Sequence, residues 1–91
     1  MKKKRGDFVR KDEVWAVSPE KIETFFRQQP DVAETGREFR YAACRIVLTA
    51  LPPRGEGFWN IPQTRIVLEG PEQDLNTIYR RFFLRFLSAG G

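Results

Sequence analysis

Glu38-Phe-Arg-Tyr-Ala-Ala-Cys-Arg-Ile-Val-Leu-Thr-Ala-Leu51 decides how this chain is read. The run is rich in β-branched and aromatic residues and reads as one long strand. Its side chains alternate between two faces. Phe39, Tyr41, Ala43, Arg45, Val47 and Thr49 form one row; Arg40, Ala42, Cys44, Ile46, Leu48 and Ala50 form the other. The second row is wholly apolar from Ala42 onward, so it is assigned to the core. Pro52 and Pro53 are expected to end the strand, because proline cannot donate to a ladder.

Downstream, Ile61 to Glu69 supplies a partner with Ile66 and Leu68 inward. One register satisfies both faces. It sets Ile46 against Leu68 and Leu48 against Ile66 inside. Outside it sets Arg45 against Glu69, Val47 against Val67 and Thr49 against Arg65. Such compatible cross-strand pairs are what stabilise a hairpin.

Upstream, residues 8–17 hold Phe8-Val9 and Val14-Trp15-Ala16-Val17, a first strand. Ser18-Pro19-Glu20 then gives an N-cap, a proline at the first helical position and an acid favourable to the dipole. Ile22, Phe25 and Phe26 make the apolar stripe of this helix, and Pro30 stops it. Asp31 to Gly36 reads as a loop. At the other end, Gly70-Pro71 opens a helix running to Ala89. Leu75, Ile78, Tyr79, Phe82 and Phe86 recur on one face of it, Phe83 and Leu87 widen that face, and Leu84 lies opposite.

The order strand–helix–strand–strand–helix predicts an α+β fold: a two-layer sandwich, with two helices on one face of a small, mainly antiparallel, three-stranded sheet. A strand–helix–strand crossover would be right-handed if strands one and two were parallel neighbours. Residues 1–7 read as a flexible basic tail and residues 8–91 as a single α+β domain, near the low end of domain size.

The net charge is +4, from 16 basic and 12 acidic residues. Lys2, Lys3, Lys4 and Arg5 account for it, since without them the chain is formally neutral. No apolar stretch follows this basic start, so it is not read as a secretory signal. No apolar run approaches the ~18 residues of a membrane span. With one cysteine an intramolecular disulfide is impossible, and the chain is assigned to the cytoplasm.

Catalysis has no familiar residue set here. There is no histidine, hence no serine–histidine or cysteine–histidine pair. One cysteine cannot supply a zinc site, and no Walker or dinucleotide fingerprint is present. Cys44 reads as a buried, inert thiol. Glu20 and Glu23 share a helical face with Arg27 and read as a solvated ion-paired surface. Both helix N-termini carry acids that oppose a bound phosphate: Glu20 and Glu23, then Glu72 and Asp74. The chain is therefore read as a non-enzyme with no cofactor and no metal.

Two readings of function follow. The first is a protein-interaction module that binds an unknown protein or itself, as a homodimer. Its contact residues are Arg54, Phe58 and Trp59 in the proline- and glycine-rich loop 52–60, or Phe83, Leu84 and Leu87 on the last helix, with a sheet edge as the remaining alternative. The second is a single-stranded nucleic-acid binder. It uses the Lys2, Lys3, Lys4, Arg5 tail with Tyr41, Arg45 and Arg65 on an open sheet face, where bases would stack on aromatic and guanidinium groups. Arg80, Arg81 and Arg85 read as cations complementing the dipole of the last helix.

Overall fold

A computed structural model describes residues 7–55 and 58–90, with the side chains of 88–90 excepted. The elements are β1 (Phe8–Trp15), α1 (Pro19–Arg27), β2 (Val32–Thr35), β3 (Glu38–Tyr41), β4 (Cys44–Arg54), β5 (Ile61–Pro71) and α2 (Glu72–Gly90). The sheet has five strands, not three, in the order β1-β5-β4-β3-β2. Every neighbouring pair is antiparallel. The α+β class holds, and both helices contribute to the core on one face of the sheet. The crossover rule has no object here, because β1 and β2 stand at opposite edges.

The run 38–51 forms two strands, β3 and β4, and the other extra strand, β2, forms within Asp31–Gly36, the stretch the sequence reads as a loop. Ala42 takes φ 52° and the chain folds back, so that Tyr41 pairs with Cys44. A second two-residue turn at Gly36 (φ 62°) and Arg37 closes β2 on β3, pairing Thr35 with Glu38. Glycine tolerates that φ freely. Alanine does not, at roughly 1–2 kcal/mol for a left-handed residue, which is why nothing in Ala-Ala announces a turn.

What the fold-back gains is a face. In a straight strand Phe39 and Ile46 point to opposite sides. In the hairpin they are partners, and Phe39 is 4% exposed. Burying a phenylalanine stabilises by about 1.5–3 kcal/mol, enough to offset the strained alanine. Phe39 and Tyr41 are therefore inner-face residues, correcting their assignment to the outer row.

The β4–β5 register is the one the sequence implies: Ile46 with Leu68, Leu48 with Ile66, Arg45 with Glu69, Val47 with Val67, Thr49 with Arg65. The prolines do not end β4, however. It continues to Arg54 through a register shift between Leu51 and Arg54, and such a bulge is where a ladder accommodates proline.

Phenylalanines fill the space between sheet and helices. Phe26 of α1 and Phe82 of α2 are completely buried, with near-parallel rings 6.0 Å apart (9° between planes). Ile22, Ile46, Ile66, Leu68, Leu75 and Ile78 pack around them. The α1 cap forms as expected, the Lys21 amide donating to Ser18 Oγ at 3.4 Å. Thr64, the buried polar residue of the core, donates to the Val17 carbonyl at 2.6 Å. Opposite Val9, Gly70 lets β4 approach: a Cβ there would lie 2.6 Å from Cys44 Sγ and 2.7 Å from its Cα.

β4 and β5 each run 11 residues and outreach their neighbours. β1 stops at Trp15, opposite Thr64, and β3 stops at Glu38, opposite Val47. Residues 49–63 therefore leave the body as a two-stranded arm, consistent with extents of 52 × 30 × 23 Å. No helix among the described residues is long and apolar enough to cross a membrane.

Candidate interaction site

The arm carries the largest exposed side chains of the loop. Arg54 closes β4 opposite Ile61. The chain then turns through Gly55, φ 129°, where a Cβ would collide with the Trp59 carbonyl oxygen. Only glycine fits at position 55, because the Trp59 backbone passes directly against it. Phe58 is 89% and Trp59 71% exposed, their ring centroids 6.0 Å apart. Neither folds back onto the core. Ile61 on the same arm is also exposed.

α2 supplies the other three predicted residues, and they divide. Phe83 is half-buried and edge-on to Trp15 at 5.9 Å, with Tyr79 tilted against it at 5.9 Å. It is occupied within its own chain. Leu84 (59% exposed) and Leu87 (49%) face outward, one helical turn apart. Trp15 pairs with Thr64 at the root of the arm and touches both Phe82 and Phe83. The Leu84–Leu87 shoulder, further along α2, therefore stands at the arm end of the body.

The nucleic-acid surface expected from Tyr41, Arg45 and Arg65 does not assemble. Tyr41 lies on the inner face, packed against the core and under the Arg81 guanidinium at 5.3 Å. Arg45 and Arg65 do share the outer face, but carboxylates engage both. Arg45 Nε donates to Glu38 at 2.8 Å and Nη1 reaches Glu69 at 3.7 Å. Arg65 grips Asp12 with two donors, Nε and Nη2. Arg10 links Glu69 (3.3 Å) to Asp12 (3.8 Å), and Arg40 meets Glu38 at 3.4 Å. The outer face is an alternating ion-pair ladder, not a row of free cations. Those bonds hold the Asp12 carboxyl below its ordinary range and raise the guanidinium pKa values of Arg45 and Arg65. Lys2, Lys3, Lys4 and Arg5 lie outside the described residues.

Two connections were not legible from composition. Glu13 Oε1 accepts from Trp15 Nε1 (2.9 Å) and from the Tyr79 hydroxyl (2.8 Å), clasping β1 to α2. Lys11 stands 3.9 Å from the other Glu13 oxygen and 4.5 Å over the Tyr79 ring. Burial, then the bond to Glu13, pushes the Tyr79 phenol up to about 12. Period-two alternation does put Lys11, Glu13 and Trp15 on one face, which is the signal that could have revealed the clasp. Arg81 is no dipole complement. It makes a bidentate pair with Asp31 (2.8 and 3.0 Å), tying α2 to the start of β2, while Arg27 does the same for Glu34 at 2.9 Å.

Cys44 is buried, and its burial raises the thiol to about 11. No cluster of three or more His, Cys, Asp or Glu side chains among the described residues could hold a metal ion. Glu23 pairs with Arg27 at 3.7 Å, as the helical spacing implied. No protein-family model matches this chain, and no curated protein matches it.

Proposed function

We propose that this domain is a non-catalytic protein-interaction module whose contact element is the β4–β5 arm. One observation carries the reading: two adjacent aromatic side chains, Phe58 and Trp59, stand almost bare at the end of a hairpin that reaches past its sheet. Exposed aromatic rings, here on an arm that also carries Arg54, are the residue types that dominate protein interfaces. Their exposure costs solvation free energy that the fold does not recover within one chain. The cations on the sheet face, by contrast, are already neutralised by acids of the same chain, which weighs against that face as a phosphate-binding surface.

Site-specific photocrosslinking tests the reading. A photoreactive phenylalanine analogue at position 58 is expected to form covalent protein adducts under native conditions. The same analogue at Arg40, on the ion-paired face, is expected to form none. Adducts from position 40 and none from position 58 would overturn the arm as the contact element.

A further inference from the structure

We infer that the arm's partner is a second copy of this chain: the Phe58–Trp59 tip of each protomer seats on the Leu84–Leu87 shoulder of the other, about a two-fold axis. This rests on the arm being the contact element, and it names what the arm contacts.

The first argument is placement. α2 starts beside the far end of β5 and runs back along the sheet, so Leu84 and Leu87 reach the arm end. The arm tip and the shoulder thus lie at the same end of one molecule. Within a single chain they do not meet, because the Phe58 and Trp59 rings and both leucines are exposed. Two copies facing each other at this end bring each tip to the opposite shoulder.

The second argument is chemical fit. Leu84 and Leu87 share the helix surface with Arg80, one turn before Leu84. The Arg80 guanidinium forms no ion pair among the described residues, whereas Arg81 is spent on Asp31. An apolar step beside a guanidinium with no ion pair among the described residues suits aromatic rings, which bury area against leucine and present a π face to a cation. It suits an acidic peptide less well, because the leucines would stay wet, and an aliphatic one less well, because the guanidinium would gain nothing. The chain's own exposed aromatic pair has the required character. By sequence the loop 52–60 carries only Arg54 and Glu56 as charges, so it is neutral and not repelled by the shoulder.

Symmetry and area complete the case. A tip-on-shoulder contact repeated about a two-fold axis closes after two molecules. Four aromatic rings at roughly 150–250 Å² each, together with the half-exposed leucines and the surface around them, come to the ~1,200 Å² at the low end of specific interfaces. Pro52, Pro53, Pro62 and the tight passage at Gly55 stiffen the arm before contact, which reduces the ordering cost of association.

The test is the solution mass of the full chain by light scattering across a concentration series. Wild type is expected to rise from one-chain to two-chain mass. Trp59→Asp and Leu84→Gln, both at exposed sites, are expected to raise the dissociation constant at least ~tenfold, as hot spots do, with unchanged circular dichroism. The decisive arm mixes Trp59→Asp with Leu84→Gln. A heterodimer keeps one intact tip-on-shoulder contact, so the mixture should associate more tightly than either variant alone. A one-chain mass at every concentration overturns the second copy. If position 58 still crosslinks to a different protein, the arm survives as contact element and only its identity as a dimer arm falls. A two-chain mass indifferent to both substitutions also overturns the proposal.

Discussion

β4 and β5 pass through two environments, and the contrast organises the molecule. From Cys44 to Leu48 and from Arg65 to Pro71 the strands lie in a five-stranded sheet, and their inner residues Cys44, Ile46, Ile66 and Leu68 are completely buried. From Thr49 to Gln63 the same two strands have only each other, and nearly every described side chain is exposed. In the body an apolar residue finds helices above it. On the arm it finds water. The arm holds its shape by backbone pairing and by the restricted φ of proline rather than by a core. A hydrophobic residue therefore has two settings in this chain: buried in the body, where it stabilises, and bare on the arm, where it forms the contact surface proposed above.

The largest test of that division is a pair of truncations. Phe82→Ala removes the most central core ring and should cost about 3–5 kcal/mol, read as a fall in the denaturation midpoint. Phe58→Ala should change stability by no more than ~0.5 kcal/mol while weakening association. Equal losses of stability would abolish the distinction between arm and body.

The glycines divide the same way at smaller amplitude. Gly70→Ala drives a methyl against Cys44 in the adjacent strand and should destabilise by roughly 1–3 kcal/mol, as overpacking does. Gly55→Ala collides with the Trp59 carbonyl; the tip must shift, so Trp59 fluorescence and association should change more than the thermal midpoint does.

Within the body, Tyr79→Phe removes the donor to Glu13 and should cost about 1 kcal/mol. The Tyr79 phenol is held neutral, its pKa raised from 10.0 to about 12. Its contribution is then complete below pH 10 and lost as pH rises toward 12. Ultraviolet titration should show one tyrosine ionising late, absent in Tyr79→Phe. Cys44 sharpens the same contrast: with its thiol raised to about 11 by burial, a thiol reagent at neutral pH should react only as fast as the body opens.

Acid gives the smallest effect. Asp12, Asp31 and Glu34 are held below their ordinary values chiefly by hydrogen bonds from Arg65, Arg81 and Arg27. The stability they lend is present above the unfolded carboxylate pKa and declines as pH falls through the lowered folded values. These pairs are exposed, so the decline should be slight and masked by salt. A steep acid transition in a melting series would show that the ladder matters more than solvation allows.

Much of the body was readable because its signals are periodic. Ile46, Leu48, Ile66 and Leu68 alternate, so their register could be paired residue by residue, and it stands. Ser18-Pro19 announced α1, and the helical spacing of Leu75, Ile78, Phe82 and Phe86 announced the buried face of α2. The turn at Ala42-Ala43 was not readable, since alanine has no local preference for φ 52°. Missing it turned two strands into one and put Phe39 and Tyr41 on the wrong face. At the site, Phe58 and Trp59 were legible as residue types, while their exposure was not, and Phe83 proved to be committed to Trp15. Long-range pairs such as Glu13–Tyr79 and Asp31–Arg81 leave no local trace, because charge and hydroxyl groups are common on any surface.

The amino-acid order determined the class of fold, the two helices and the β4–β5 pairing, because propensity and hydrophobic period act over a few neighbouring residues. It also determined that the chain carries no histidine and one thiol. The tertiary structure decided the strand count, the face on which Phe39 and Tyr41 lie, and the length by which β4 and β5 outrun the sheet. Those outcomes depend on whether burying Phe39 against Ile46 outweighs a strained alanine, and on where β1 and β3 stop. Both are balances between distant parts of the chain, and neither is set by the residues next door.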